Sequence, residues 1–358
     1  MDKSDVERMV REGEPIERLV LDGMDLSNAD LGGFIASESS FRGTNFSGAK
    51  LAEAAIALSD FEGAKFDGAN LKHLSMVRSS AARATMIGAK LIGTKFAECN
   101  LEGINATDAD ASVSNFARCN LNGARFGGVR FDRAVLVEDK LEGADFSRAM
   151  LVRATLFRGD LSKATLTGAD LRNTILSEGC LAGQDFSGCD LTLTVLIDVD
   201  CRGCSFERAT LVKTNFKGAK LDKVNFSGAN GEQALFAEAS LVNASMLKAH
   251  LYQAIFMAVE ATGIDMRGAM LAQSVWQKAK CVGAKFLSAD LTYADFSYAD
   301  LTLADFRDAS MFRTRLHRTI QKETTFSGSK AVALGDEPLL AEAETFWEKH
   351  NKKRGASA

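Results

Sequence analysis

The stretch Ala289–Phe306 reads ADLTYADFSYADLTLADF, and its rule organises most of the chain. Every fifth residue is Leu or Phe: Leu291, Phe296, Leu301 and Phe306. Two places before each stands Ala, at Ala289, Ala294, Ala299 and Ala304, with Asp290, Asp295, Asp300 and Asp305 between. The other two positions vary freely. A period of five fits neither a helix nor a strand, whose side chains repeat at 3.6 and 2.0. It requires a chain that turns a corner every five residues.

The same frame runs outward from this stretch without an insertion. Of the 63 positions 21, 26, 31 and so on to 331, 53 are Leu, Phe, Met, Ile or Trp. Of the 62 positions two before a centre, from 24 to 329, 55 are Ala, Ser, Thr, Cys, Gly or Val. If four pentads make one square turn, residues 20 apart stack. One column of centres then holds ten Phe, among them Phe46, Phe66, Phe206, Phe226 and Phe306. The opposite column holds Phe96, Phe116, Phe216, Phe236, Phe256 and Phe296, and the other two are mainly Leu. Alternating large and slightly smaller side chains suits a narrow square core.

This pattern resembles the pentapeptide-repeat family, whose consensus is A(D/N)LXX, over residues 21–331. The resemblance implies an all-β solenoid: a right-handed quadrilateral β-helix of about 15 coils, stacked at about 4.8 Å. Centre and small residue point inward. Such a stack needs both ends capped, and short helices are expected there. Residues 1–20 read as a helical N-terminal cap, with Ser4 as N-cap, Glu7 in capping-box spacing, and Val6, Met9 and Val10 on one face. Gly13 and Pro15 end it. Residues 332–358 read as an amphipathic helix and basic tail, with Pro338 in the first turn. Leu339, Leu340, Ala343, Phe346 and Trp347 form its apolar stripe, and Lys349, Lys352, Lys353 and Arg354 follow. Two readings of that stripe stand: a cap over the last coil's open edge, or a homodimer contact such as some family members use.

Composition narrows the function. The 358 residues carry 43 basic and 47 acidic side chains, a net charge of −4. That balance favours neither a nucleic-acid binder nor a strongly acidic mimic. Seven cysteines without secreted-type spacing suggest reduced thiols in a cytosol. Met1 is followed by charged Asp2, Lys3 and Asp5, unlike a signal peptide, and no run of about 18 apolar residues is present. The expected setting is cytoplasmic, without a membrane partner.

Candidate chemical groups have bland readings in this frame. His73, His250 and His317 fall at outward positions and His350 in the tail, none beside a nucleophile. Cys201 and Cys204 make a C-x-x-C with both residues inward, as are Cys99, Cys119, Cys189 and Cys281; Cys180 alone points out. A zinc site needs four convergent ligands, and none assemble. The Asp290–Asp305 ladder places each carboxylate on a different face, where turn bonding is its expected role. Asp139 and Gln184 are odder, polar residues at inward small sites. No catalytic set, cofactor motif or metal set is expected, which favours a scaffold over an enzyme.

Function on a closed coil lies on its surface. Outward positions are mostly polar, but one face differs, with Val135, Val137, Phe157, Ile175, Val195, Ile197, Leu235, Ile255, Met257 and Val275. An exposed apolar column of this kind reads as a protein-partner surface. The family offers two sharper versions: an interaction module or effector associated with bacterial type VI secretion, or a DNA mimic that binds DNA gyrase as in quinolone resistance. A duplex mimic must present dense negative charge, about one per 1.7 Å of axis in DNA itself. Residues 61–300 carry 27 basic and 27 acidic residues, a net charge of zero. The interaction scaffold is therefore the leading reading and gyrase binding the alternative.

Overall fold

A computed structural model describes residues 1–329 and 333–354, with side chains described through residue 347. The expected repeat boundary at 331, the side chains of Lys349, His350, Lys352, Lys353 and Arg354, and the end of the tail lie outside the described residues. The chain divides into two compact units. One comprises Met1–Ala182 with Leu193–Asp200, the other Gly183–Thr192 with Cys201–Ala358.

In the first unit, α1 (Lys3–Glu12) precedes nine short strands. These are β1 (Ile16–Glu17), β2 (Ile35–Ser37), β3 (Ala55–Ala57), β4 (Ser75–Val77), β5 (Lys95–Ala97), β6 (Asn115–Ala117), β7 (Val135–Val137), β8 (Thr155–Phe157) and β9 (Ile175–Ser177). They pair in sequence order, all parallel, with each residue opposite the one 20 later, as Ile56 opposite Met76. The other faces pair by single bridges with the same offset, as Asn45 with Lys65 and Lys50 with Asn70. Four faces per coil and a register of 20 make this the quadrilateral β-helix that the five-residue period requires. The frame begins one pentad before Leu21, because Ile16 is already buried and paired opposite Ala36.

The corner explains the period. At most corners the third residue after a centre donates its N–H to the centre's carbonyl, as Ala29 to Leu26 at 3.1 Å and Ala64 to Phe61 at 3.0 Å. The residue just before that donor lies in the left-handed region, as Asn28 (φ 54°) and Gly63 (φ 67°). A bond of this kind around a positive φ is a type II turn. Glycine takes the position freely, whereas Arg83 (φ 57°) or His73 (φ 58°) does so at a cost of about 1 kcal/mol. The turn leaves the remaining backbone groups pointing up and down the stack. Leu26 donates to Asn45 O at 2.8 Å, and Asn45 donates to Met24 O at 2.9 Å.

One corner of the first unit is built differently, and the sequence reading missed it. After the strands, the small-site N–H turns to a side chain in the next coil: Ser39 N donates to Ser59 Oγ (3.1 Å) and Ser59 N to Ser79 Oγ (3.0 Å). Each hydroxyl in turn donates to the carbonyl two residues before it, Ser59 to Ala57 O at 2.8 Å and Ser79 to Val77 O at 2.9 Å. The small sites here are Ser39, Ser59, Ser79, Cys99, Cys119, Asp139, Gly159 and Gly179. In the second unit the same corner carries Ala219, Ala239 and Ala279, and the ordinary turn bond returns, as Ala219 N to Phe216 O at 3.0 Å. A side-chain acceptor thus satisfies the small-site N–H at the serine levels of the wide corner, while the three-residue strands continue at Gly159 and Gly179 without one.

The core is a stack of rings and methyl groups. Phe46 lies on Phe66 with centroids 4.9 Å apart and planes 2° from parallel. In the second unit Phe206 stacks on Phe226 (5.0 Å) and Phe236 on Phe256 (4.9 Å), while Phe226 meets Phe236 edge-on at 5.7 Å. Trp276 is fully buried and donates Nε1–H to Ser274 Oγ. Buried threonines close carbonyls inside the coil, as Thr214 Oγ1 on Leu191 O at 2.8 Å.

Both ends correct details of the reading. The N-cap of α1 is Asp2, not Ser4: Asp2 accepts from Asp5 N–H at 3.0 Å, and Asp5 accepts from Asp2 N–H at 2.9 Å. Asp2 has the extended backbone a cap needs, while Ser4 is already inside the helix. Val6 is buried, and Glu7 accepts from Asp30 N–H at 3.0 Å, tying the helix to the first coil. At the other end, Gln321 is exposed and Phe326 only half-buried. The last pairing joins Arg315 to Leu334, one residue short of the frame. α2 (Pro338–Arg354) follows. Its stripe does not cover the last coil: Leu339, Leu340, Phe346 and Trp347 are all exposed, Leu339 to 82% and Trp347 to 69%. The polar side of the helix is what meets the solenoid.

Two substitutions test this architecture in urea unfolding followed by circular dichroism. Ser59→Ala leaves the buried Ser39 N–H without its acceptor and is expected to cost about 1–3 kcal/mol. Leu196→Asp puts an unpaired carboxylate at a position 1% exposed, with an expected loss of about 3–5 kcal/mol. An unchanged unfolding midpoint for Leu196→Asp would rule out the inward register of that pentad.

Candidate interaction surfaces

Outward positions flank each buried centre, so a strand of three residues shows two side chains to solvent. In the first unit β7 presents Val135 and Val137, β8 Thr155 and Phe157, and β9 Ile175. Val135 lies opposite Thr155 and Val137 opposite Phe157, while Val195 bridges to Ile175. Ile197 O accepts from Glu178 N–H at 3.0 Å. Ile175 is 39% exposed, and Val135, Val137, Phe157, Val195 and Ile197 are partly exposed. In the second unit Leu235, Ile255 and Val275 bridge in succession, and Ile255 and Met257 are exposed. All ten residues of the apolar column therefore reach the surface, six in one unit and four in the other.

The edges of these patches are polar and ordered. Beside β7–β9 runs a ladder of alternating charge at left-handed corner positions. Arg158 bridges Glu138 (3.1 Å) and Glu178 (2.9 Å), and its guanidinium lies 4.8 Å from the Phe157 ring centroid. Further up the same corner Glu98 takes Arg78 (3.0 Å) and Arg118 (2.8 Å). These arginines hold the Glu98 carboxyl below its usual range. In the second unit a ladder of amides, Gln233 to Gln253 to Gln273, runs at 2.9 Å per step beside Leu235, Ile255 and Val275. Exposed ion pairs of this kind contribute little stability, but they keep the patch borders hydrated and regular.

The apolar side chains are not confined to that column. β2 and β4 expose Ile35 and Val77 on the same face, and corners expose Leu58, Val113 and Leu193. The second unit adds Tyr293 and Phe312, edge-on at 5.6 Å, with Arg313 over Phe312. The expectation that positions off this face are polar is corrected by Leu58, Val113, Leu193, Tyr293 and Phe312, which sit at turn positions where any side chain clears the backbone.

A second surface surrounds α2, and one histidine there overturns its reading as a surface residue. His317 occupies an outward pentad position yet is only 2% exposed, because α2 covers it. Its Nδ1 accepts from Glu337 N–H (3.2 Å), and its Nε2 faces Glu344 Oε2 (3.3 Å). Tyr298 meets the ring edge-on at 5.4 Å and donates its hydroxyl to Glu344. Arg318 NH2 donates to Ala341 O and Thr345 Oγ1, both at 2.6 Å. Tyr298, then His317 and Arg318, hold the Glu344 carboxyl below its usual range, and Glu344 pushes the Tyr298 hydroxyl up. Leu339, Leu340, Phe346 and Trp347 remain on the exposed side. The period of five cannot foresee this pocket, since it arises where another element lies on the repeat.

The remaining candidates take structural roles. Cys99, Cys119, Cys201, Cys204 and Cys281 are buried, Cys180 and Cys189 half-buried, and all seven are free thiols. The thiol of Cys99 and burial push Cys119 up, so it stays protonated. Among the described residues no group of His, Cys, Asp and Glu could hold a metal ion. The Asp ladder closes turns: Asp290 accepts from Thr292 N–H, Asp295 from Ser297 N–H and Asp300 from Thr302 N–H, at 2.9–3.0 Å. Asp305 accepts from the Arg307 N–H and guanidinium. Gln184 is half-buried, and Asp139 is buried. His73 and His250 are exposed. No helix among the described residues is long and apolar enough to cross a membrane.

The register and corners define a parallel β-solenoid built from five-residue units. Pentapeptide repeats in eight copies match the chain, in overlapping ranges from 25–63 to 200–230 and again over 277–308. The chain belongs to the pentapeptide-repeat family. No curated protein sequence matches it significantly. Among solved structures it is similar to full-length QnrB1, a plasmid-mediated fluoroquinolone resistance protein. Identity is 20%, coverage 50% of this chain and 92% of that one, and the TM-score 0.37. It is also similar to HetL, a pentapeptide repeat protein involved in heterocyst differentiation regulation in the cyanobacterium Nostoc sp. PCC 7120 (22% identity, 78% and 96% coverage, TM-score 0.18). A pentapeptide repeat protein of the Arabidopsis thaliana thylakoid lumen matches at 26% identity (27% and 68% coverage, TM-score 0.27).

The α2 contact is testable by limited proteolysis. Arg318→Ala removes the donors to Ala341 O and Thr345 Oγ1 and is expected to speed cleavage within 338–347 several-fold while leaving the solenoid's unfolding midpoint unchanged. Equal cleavage rates would show that α2 is held by other contacts.

Proposed function

We propose that this chain is a non-enzymatic protein-interaction scaffold that docks a protein partner on its apolar strand face. The observation that carries the reading is the set Val135, Val137, Phe157, Ile175, Val195 and Ile197, all solvent-accessible on adjoining strands of a face whose centres are buried. A rigid hydrogen-bonded face holds such side chains in place before binding, so little side-chain order is lost on association. The exposed stripe of α2, Leu339, Leu340, Phe346 and Trp347, is proposed as a second contact, with a second copy of the chain as its partner. Assembly or effector delivery in a bacterial cytoplasm, including type VI secretion, is the setting we favour from the family resemblance.

Gyrase binding by DNA mimicry is the weaker reading. A mimic needs unpaired negative charge along a face. Here Glu98, Glu138 and Glu178 alternate with Arg78, Arg118 and Arg158 and are paired to them, so the ladder presents no run of one sign.

The test is affinity capture from the native cytosol with quantitative mass spectrometry, using the wild type and Val195→Lys/Ile197→Lys. Both side chains are outward, so the double variant is expected to keep its circular dichroism spectrum and lose at least tenfold of the captured partner. Equal capture by a folded double variant would refute docking at this face. Protection of purified gyrase in a supercoiling assay, unchanged in that variant, would favour the alternative.

A further inference from the structure

The wide corner of the first unit follows one bonding rule, and Asp139 is where the rule and the residue conflict. At each level the small-site side chain accepts the N–H of the level before and donates to the carbonyl two residues back. Ser39 accepts from Leu19 N–H (3.1 Å) and donates to Ser37 O (2.9 Å). Cys99 donates to Ala97 O (3.4 Å) and Cys119 to Ala117 O (3.6 Å). The carbonyl at the second step has room for two donors, since Ser37 O also takes Arg18 N–H at 3.1 Å.

Asp139 occupies the next level and is 5% exposed. Its Oδ1 accepts from Cys119 N–H at 2.6 Å, which completes the first half of the rule. Its Oδ2 is buried and has no hydrogen-bond partner. The second half would be donation to Val137 O, which already takes Arg118 N–H at 2.9 Å as its counterparts do. A carboxylate has no proton to donate; a carboxylic acid has one. The ladder also stops here. Gly159 supplies no side chain for the next step, and Gly179 must lack a Cβ because one would lie 2.5 Å from Gly159 O.

The charged groups around the site give Asp139 no cation of its own. On its own coil, Glu138 is paired to Arg158 and Glu142 to Lys163 (2.6 Å), while Lys140 is exposed. On the coil before, Arg118 is paired to Glu98 and Cys119 is a neutral thiol. On the coil after, Asp160 accepts from Ser162 and Arg158 faces two glutamates. Asp139, with Glu138, Lys140, Glu142, Arg158 and Asp160 among its neighbours, lines an open groove of about 400 Å³ at the side of the corner.

We propose that Asp139 is protonated at Oδ2 in the folded chain and that the corner after β7 is thereby a built-in pH sensor, closed when the acid is neutral and opened toward the groove when it ionises. The step is a simple proton loss from Oδ2–H to water. Burial pushes the Asp139 carboxyl up to about 7, against backbone hydrogen bonds from Cys119 and at Val137 that favour the charged form. The ordinary aspartate value is about 3.9. The folded state therefore keeps a proton that the unfolded chain gives up. Stability from this group is full below about pH 4 and declines as pH rises toward 7, where the folded carboxyl itself ionises. Ionisation leaves a buried charge without a partner, so the corner nearest Val137 and Phe157 loosens.

The experiment is urea unfolding of the full chain at pH 5, 6, 7 and 8, for the wild type, Asp139→Asn and Asp139→Ser. Asparagine keeps the shape with a permanent donor, and serine is the residue this corner already uses at Ser59 and Ser79. The wild type is expected to lose stability with rising pH relative to both variants, by about 10²-fold in the unfolding constant between pH 5 and pH 8. At pH 8 both variants are expected to be the more stable. If Asp139→Asn fails to fold, Asp139→Ser alone decides. A wild-type pH slope retained in either folded variant overturns the proposal, and so does a wild type less stable at pH 5 than at pH 8 relative to the variants.

Discussion

Everything in this chain depends on the square corner. After each buried centre the backbone must turn and still offer its N–H and C=O groups to the coils on either side. The turn bond from the third residue to the centre, with a positive φ between, meets both demands. It consumes one donor and one acceptor per pentad and leaves the others along the stack. Because an unpaired buried backbone group costs as much as a lost hydrogen bond, no pentad can drift from the register without exposing its neighbours. That is why a frame of 20 persists through coils whose surface residues share almost nothing.

The wide corner shows how local chemistry modulates that constraint. Where the small site is Ser or Cys, the chain forgoes the turn bond and borrows an acceptor from the coil beyond. Where the small site is Ala, no acceptor is offered and the tight turn is the remaining way to satisfy the N–H. The three-residue strands continue at Gly159 and Gly179, so the side-chain acceptor supports the wide corner without alone selecting it. Asp139 stands in this series as the member with one oxygen too many for its charge state.

Surface and core are separable in such a fold. Ring stacks such as Phe46–Phe66 and Phe236–Phe256 supply burial without reference to what lies outside. The outward positions can therefore vary freely, as the apolar patches, the Arg/Glu ladder and the Gln ladder show. A protein of this kind presents side chains at a fixed spacing on a stiff sheet, which suits recognition of a macromolecular partner more readily than the convergence of groups that catalysis needs.

The sequence by itself determined the period, the inward register and the family, because a five-residue rule repeated from Leu21 onward admits one backbone solution. It also determined that the ten apolar residues from Val135 to Val275 point outward, and that Asp290–Asp305 serve turns. Only the tertiary structure decided what happens where the rule meets something outside itself. His317 is outward by the rule yet buried, because α2 lies on it. The stripe of α2 is amphipathic by pattern yet exposed, because Arg318, Tyr298 and His317 hold the helix by its polar side. Asp2 rather than Ser4 caps α1, and Asp139 is stranded by a ladder that only the stacking of coils creates. The physical reason is that a repeat encodes its own register, whereas the caps and His317 depend on helices that lie outside it, and Asp139 depends on which side chains stack on either side of it, Cys119 before and Gly159 after.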